Sequence, residues 1–570
     1  MYSAGIAEDH GNYLRADELQ QSLSTEGRTR AARPAPSLRR PSEKDSEKAD
    51  LDDADDADDA KIELESHDTD NSAQDHAGDR SGQNSDLEKS GSEAAPAPSK
   101  PRDPNMISWS GPDDPENPKN WKQSKKWAAC IVVSLFTFIS PVASSLVAPG
   151  LQSIAADFNE TNTVLIQMFL SIFILAYAIG PMFLGPLSEI FGRVIVLQLA
   201  NLFFLIFNLV CGFAQNGAQL IVFRFLAGLG GSAPLAIGGG IIADCFMPEE
   251  RGKAIAVYSL APLLGPAIGP VAGGFIAEKT TWRWGFWSVS IACVAVQLLG
   301  LLFLQETWAP TLLERRTKKL RKETGNEKLY AEVARQETML HKLEHSMVRP
   351  IRMLTTQPIV FCLALYMAYL YGLLYLVVSS FAQLWTDPDY YGESVGISGL
   401  NYIALALGYM IGMQATARLT DRIYRRLKKR NNGVGRPEFR VPAMIPCVIF
   451  LPIGLLWYGW SAQARVHWIV PDIGVVVLGA GTIAGFIPIQ TYVIDSYTTY
   501  AASGVAAISC ARSLAGFGFP LFAPAMYNAL GYGWGNTVLA FVAIAIGVPA
   551  PWLFWKYGAA LRAKSRYAAG

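Results

Sequence analysis

The chain of 570 residues lacks most of the patterns on which enzyme chemistry depends. Its seven cysteines form no CxxC pair, and all fall in or at the ends of apolar runs. A metal centre or disulfide framework therefore has no support, and the thiols read as small packing residues. The six histidines include no HExxH, and metal-assisted hydrolysis is not expected. No GxxxxGK[ST] stretch is present, which argues against an ATP-driven pump. No nucleophile–base constellation is evident, so an enzyme is not expected. The first residues have no apolar core and no cleavable signal peptide is expected; insertion would begin with the first membrane span. Charge is balanced, with 49 Lys and Arg against 49 Asp and Glu. No cofactor, metal or nucleic acid is expected.

What is present is apolar sequence in long runs. Residues 1–126 are polar and charged, and the remainder carries uncharged runs of about 20 residues, the length that crosses a bilayer core. Twelve spans are predicted, at about 127–148, 164–184, 194–214, 218–243, 254–276, 284–304, 359–383, 396–417, 442–461, 471–493, 504–526 and 535–557. The expected organisation is a disordered tail and lead-in (1–126), a six-helix half (127–304), a polar central loop (305–358), a second six-helix half (359–557) and a short tail (558–570). Residues 1–105, with LDDADDADDA at Leu51–Ala60, have too little apolar surface to offset ordering entropy. Basic clusters recur at alternate turns: Arg193, Arg251 and Lys253, Arg315 to Lys322, Arg418 to Arg430, then Arg562, Lys564 and Arg566. The positive-inside bias places them, and both termini, in the cytosol. Asn159-Glu160-Thr161 then forms an external glycosylation sequon.

The most distinctive stretch is Ser259–Ile276, SLAPLLGPAIGPVAGGFI. Pro262, Pro266 and Pro270 repeat every four residues, and Gly265, Gly269 and Gly273 run beside them. Each proline removes a helical N–H, and each glycine lets another backbone approach. A kinked helix pressed against a moving partner is expected, with span 11 and its FGFP (Phe517–Pro520) as the partner. Arg224, inside span 4 on a face with Gly228, must meet a water-filled cavity or a partner group. Glu189 and Arg193, echoed by Asp421 and Arg425 in the second half, suit a gate reaching across the halves. Asp244, Asp495 and Arg512 are further charges in or at the ends of spans, either titrating or structural. Span 7 aromatics (Phe361, Tyr366, Tyr369, Tyr371, Tyr375, Phe381) and the amides Asn201, Asn208, Gln414 and Gln490 are candidates for a substrate pocket.

These residues resemble the major facilitator superfamily, in particular its fungal twelve-span drug:proton antiporters, over about residues 107–566. The family's loop motif G-x-L-a-D-r-x-G-r is similar at Gly185, Leu187, Glu189, Gly192 and Arg193, departing at Glu189, Ile190 and Val194. The fourth-span motif is matched at Leu220, Arg224, Gly228 and Gly230, with Ala227 where Gln is usual. The fifth-span antiporter motif G-x-x-x-G-P-x-x-G-G matches at Gly265, Gly269, Pro270, Gly273 and Gly274, with Pro266 inside it. The lead-in Gly111–Trp121 and Gln305–Asn326 add to the likeness. The resemblance implies an all-α membrane protein of the MFS fold, twelve transmembrane helices in two six-helix halves. It implies proton-coupled export, with coupling at Arg224, gating at Glu189 and an exporter's signature at Gly265–Gly274. The expected cargo is a hydrophobic or cationic small molecule: a drug, fungicide, polyamine or secondary metabolite. The expected partners are protons, the lipid bilayer and that cargo, for a monomer in the cell membrane rather than the vacuolar membrane. The alternative is a proton symporter or facilitator importing a nutrient; a membrane sensor is a third, less favoured class.

Overall fold

A computed structural model describes residues 103, 105–111, 113–332, 339–497, 500–563 and 565. The expected disorder of residues 1–102, and the basic residues Lys564 and Arg566, lie outside the described residues.

Apolar sequence without strand-forming alternation gives helix almost throughout. Eleven helical stretches are long and apolar enough to cross a membrane. The last, Ser503–Ala563, has 61 residues, about three bilayer thicknesses if straight. It turns back at Gly531 (φ 70°, ψ 175°), a conformation that glycine adopts without a Cβ penalty. That turn divides it into spans 11 and 12, so the chain crosses twelve times. The predicted spans each fall on observed helix.

Four spans are interrupted, span 12 at Val548 between Gly547 and Pro549. Span 1 runs as Gln123–Ser145, a short 3-10 turn and Leu151–Asp157. Span 4 is Gly217–Gly231 followed by Ala233–Cys245, and span 8 is Val395–Leu400 followed by Tyr402–Arg430. Span 5, Pro248–Lys279, is by contrast one continuous helix through all three of its prolines.

The central loop is more than a polar linker. It forms helices Ala309–Thr324 and Met339–Thr356, and between them the strand β2 (Tyr330–Ala331) pairs in parallel with β1 (Met106–Ile107) from the lead-in. Asp114 fixes this strap. Its carboxylate accepts from Arg316 at 2.7 Å, from the Ser110 N–H at 2.8 Å and from the Glu116 N–H at 2.9 Å. Burial works to raise the Asp114 pKa, but the Ser110 and Glu116 amides and the Arg316 guanidinium together bring it down to about 2.

A depressed carboxylate stabilises above its unfolded pKa of about 3.9 and loses that contribution only as pH falls through the folded value. Hydrogen exchange of residues 105–121 should therefore be flat from about pH 8 to pH 4 after correction for intrinsic rates. Asp114→Asn should raise exchange severalfold across that window. Equal protection in the variant would show that the strap is held elsewhere.

Candidate functional site: the broken first span and its arginine

A helix that ends inside a membrane leaves carbonyl oxygens that water cannot satisfy. Span 1 ends its first helix at Ser145 in this way. Arg224, only 1 % exposed, comes from span 4 to fill the need. Its guanidinium donates to the Ala143 carbonyl at 3.3 Å, the Ser144 carbonyl at 3.0 Å and the Leu170 carbonyl of span 2 at 3.4 Å. A cation at a helix C-terminus also meets the negative end of the helix dipole. The rings of Phe173 and Phe286 stand 5.2 and 5.6 Å from the guanidinium carbon. Arg224 thus meets a partner, the backbone of spans 1 and 2, rather than an open cavity. Gly228, one turn along, lets span 2 approach: a Cβ there would stand 2.6 Å from the Phe173 carbonyl oxygen.

The glycine stripe of span 5 grips the same break from the other side. A Cβ on Gly265 would stand 2.5 Å from Pro141 Cβ, and one on Gly269 2.7 Å from the Val142 carbonyl oxygen. One on Gly273 would run into the Leu146 carbonyl. Ser145 Oγ donates to the Gly265 carbonyl at 3.3 Å. The expectation that span 11 packs on this stripe is corrected: the partner is span 1 of the same half. A row of glycines specifies close approach without naming the neighbour. Pro266 and Pro270 are buried on this helix. Its far end does cross between halves. A Cβ on Gly274 would stand 2.7 Å from the Val395 carbonyl oxygen, and one on Gly399 2.8 Å from that of Pro270. The Glu278 carboxylate accepts from Ser394 Oγ at 2.8 Å and the Gly396 N–H at 2.6 Å. The Ser144 and Tyr375 hydroxyls, 3.2 Å apart, join spans 1 and 7. The halves therefore close on each other at the end opposite the basic loops.

At the basic end, the charged motif residues pair within their own halves. Arg193 lies 3.7 Å from Glu189 and 3.4 Å from Asp244, under the Trp308 ring at 4.3 Å. Asp421 does not pair by side chain with Arg425; Arg440 takes that place. It lies 3.5 Å from Asp421, 2.9 Å from Asp495 and 4.2 Å from the Tyr424 ring. The two halves thus repeat one device: an acid before a turn, an arginine after it, a second acid from the fourth helix of that half, and an aromatic lid. The expected reach of Glu189 across to the other half is not seen among the described residues. The signal for Arg440 was present as Arg193-Val194 against Arg440-Val441, each opening a span.

Glu306 was missed altogether. Its buried carboxylate accepts from the N–H groups of Arg193 at 2.9 Å, Val194 at 3.3 Å, and Thr307 and Trp308 at 3.0 Å each. It caps span 3, and Gly192 at φ 109° leaves it room: a Cβ there would collide with this carboxylate. A lone acid directly after an apolar run was the available clue.

Most of the amide and aromatic candidates are structural. Asn201 donates to Gln297, and Asn208 to the Phe286 carbonyl and to Ser290, each at 2.9 Å, tying span 3 to span 6. Gln414 is exposed and Phe361 faces outward. Tyr366 reaches Cys447, Tyr369 donates to the Leu539 carbonyl, and Phe381 is fully buried. Tyr371 and Gln490 remain beside Arg512, with the Tyr371 ring 5.1 Å from its guanidinium. Asn159 is exposed, at φ 53°.

In an open helix position Gly→Ala stabilises by about 0.5–1 kcal/mol. Gly518→Ala, where a Cβ meets nothing within 4 Å, should be neutral or slightly stabilising. Gly269→Ala should instead lower the detergent Tm by several degrees, because backbone must move. Equal Tm values in the two variants would remove the span 1–span 5 contact from the fold's essential packing.

Comparison with known proteins agrees with this architecture. The Major Facilitator Superfamily profile matches residues 133–520. The efflux pump vrtL of Penicillium aethiopicum is 54 % identical over 469 residues, covering 82 % of this chain and 92 % of that protein. The efflux pump radE of Floropilus chiversii is 44 % identical over 82 % of this chain and 86 % of its own. Among solved structures, the xylose transporter XylE from E. coli in a partially occluded inward-open form has a TM-score of 0.57 at 16 % identity. It aligns with 76 % of this chain and 98 % of its own. At that identity the likeness concerns the fold alone. With the matched profile, the relatives and twelve crossings in hand, the chain belongs to the Major Facilitator Superfamily of membrane transporters.

Proposed function

We propose that this protein is a proton-driven efflux antiporter that carries a hydrophobic small molecule, a metabolite of the same cell or a xenobiotic, out across the plasma membrane. The observation that carries the reading is the span 5 stripe: its glycines clamp the broken span 1, and its far end packs on span 8. A stripe fixed to one half and sliding on the other is suited to sealing the far side while the near side loads. The relatives named efflux pumps, at 54 % and 44 % identity, support export over nutrient import. The positive-inside bias of the basic loops supports cytosolic termini, with Asn159 on the outer side as a glycan acceptor. Protons serve as the energy source, and no cofactor is required. Glu189, Arg193 and Asp421, with Arg440, act as the cytosolic latch of each half; Arg224 keeps spans 1, 2 and 4 in register during coupling.

The test is flux in proteoliposomes of defined orientation, with Nile red as the hydrophobic probe and an imposed pH gradient. Transport should fall severalfold or more when a protonophore collapses the gradient. Arg224→Lys, a single point charge where a planar fork reaches three carbonyls, should lose most of it while still inserting. Probe flux that ignores the gradient, with Arg224→Lys at wild-type rate, would sink the reading.

A further inference from the structure

Among the described residues, charge well inside the membrane is scarce and of one sign. Acidic side chains of the spans lie within about a turn of a helix end, or in the basic extension of span 8. The interior charges are two arginines. Arg224 is matched by three carbonyl oxygens. Arg512 is not.

Arg512 lies in span 11, about 16 Å along the helix that starts at Ala501. It is partly buried and has no hydrogen-bond or ion-pair partner among the described residues; its Nε, like that of Arg224, lacks an acceptor. Two ring faces stand over it, Tyr371 of span 7 and Phe486 of span 10, each centred 5.1 Å from the guanidinium carbon. One turn further, a Cβ on Gly516 would stand 2.9 Å from the Tyr371 ring and 3.0 Å from Ile174 of span 2. This face of span 11 therefore looks across to the first half. Tyr371 in turn packs on Tyr375, whose hydroxyl meets Ser144 at the broken span 1.

Ring faces return only part of what an arginine loses on leaving water. A guanidinium held in the membrane interior without an anion is otherwise retained where it has work to do. Its planar fork matches a carboxylate bidentately, and the flanking rings match a flat apolar body. The gap beside Arg512, lined by Met367, Gln490, Ile508 and Ser509, is about 10 Å³, room for about one water. Arg512 itself is partly exposed, so the site is narrow rather than sealed.

We propose that Arg512 selects the cargo's charge: the transported molecule is a planar aromatic acid, its anionic group on Arg512 and its ring system between Tyr371 and Phe486. The proposal rests on the small-molecule transport reading above but not on its direction. It replaces a cationic cargo, such as a polyamine, with an anionic one.

The test pairs two probes of the same ring and opposite charge, 2-naphthoate and 2-naphthylmethylammonium, binding to the purified full chain in detergent by tryptophan fluorescence. Naphthoate should bind at least about tenfold tighter, the effect of one desolvated ion contact. Arg512→Gln should abolish the preference, and Arg512→Lys should keep part of it, since charge survives and the fork does not. Size-exclusion profiles establish whether the variants fold. If Arg512→Gln does not, the wild-type ratio and the lysine variant decide. A ratio near one, a preference for the ammonium, binding of neither probe at millimolar concentration, or an unchanged preference in Arg512→Gln would each overturn the proposal. Naphthoate binding without any flux in proteoliposomes would leave the charge assignment standing and count against export.

Discussion

The fold depends on how a membrane helix can be allowed to break where its last carbonyls are buried. Span 1 breaks at Ser145, where there is no water to take up the exposed carbonyls. An unsatisfied backbone group in hydrocarbon costs several kcal/mol, as does an arginine. Brought together, each cancels most of the other's cost, and neither is tolerable alone. The Ala143, Ser144 and Leu170 carbonyls therefore fix where span 4 must sit against spans 1 and 2. The opposite side of the break has no buried cation, only the Ser145 hydroxyl on the Gly265 carbonyl, so it is packed by backbone itself. That is what the span 5 glycines permit, with contacts to Pro141, Val142 and Leu146 too close for any side chain.

The same logic of paired costs governs the basic end, with water partly admitted. Arg193 and Arg440 each bridge two acids and lie against an aromatic ring. Glu189 and Asp421 are more than half exposed, so each of those contacts is worth little and is easily given up. Asp244 and Asp495 are better shielded and hold their arginines more firmly. Each arginine is thus anchored on one side and loosely held on the other, an arrangement that can release a helix end without unfolding it. The Glu306 cap at span 3 is firm for the same reason, since its carboxylate is buried against four N–H donors.

The spans and their number were legible because hydropathy over twenty residues is a property of the segment alone. The importance of Arg224 and of the Gly265–Gly273 row was legible for a related reason: a charge or a bare backbone in a lipid-length helix demands explanation wherever it points. What it points at is a tertiary fact. Nothing in the span 5 sequence distinguishes span 1 from span 11 as the neighbour that fills its groove. Arg440 escaped notice because it stands nineteen positions after Asp421, whereas Arg193 follows Glu189 by four. The basic loop inserted in the second half displaced the arginine in sequence and left it in place in space. Asn201 and Asn208 misled in the opposite sense, being polar residues in apolar runs that satisfy span 6 rather than a ligand.

The contrast between the two interior arginines follows from these constraints. Arg224 is taken up by structure: its three acceptors are backbone carbonyls of spans 1 and 2. Arg512 lies between spans 7, 10 and 11 on a face turned toward the first half, where only rings attend it. A transporter whose halves rock must expose whatever lies on that face to each side in turn. A charge there without a permanent partner is free to take one from solution and to lose it again, which an arginine bound to three backbone carbonyls cannot do. The structural arginine makes a broken helix possible, and the unsaturated one gives the cleft between the halves its sign.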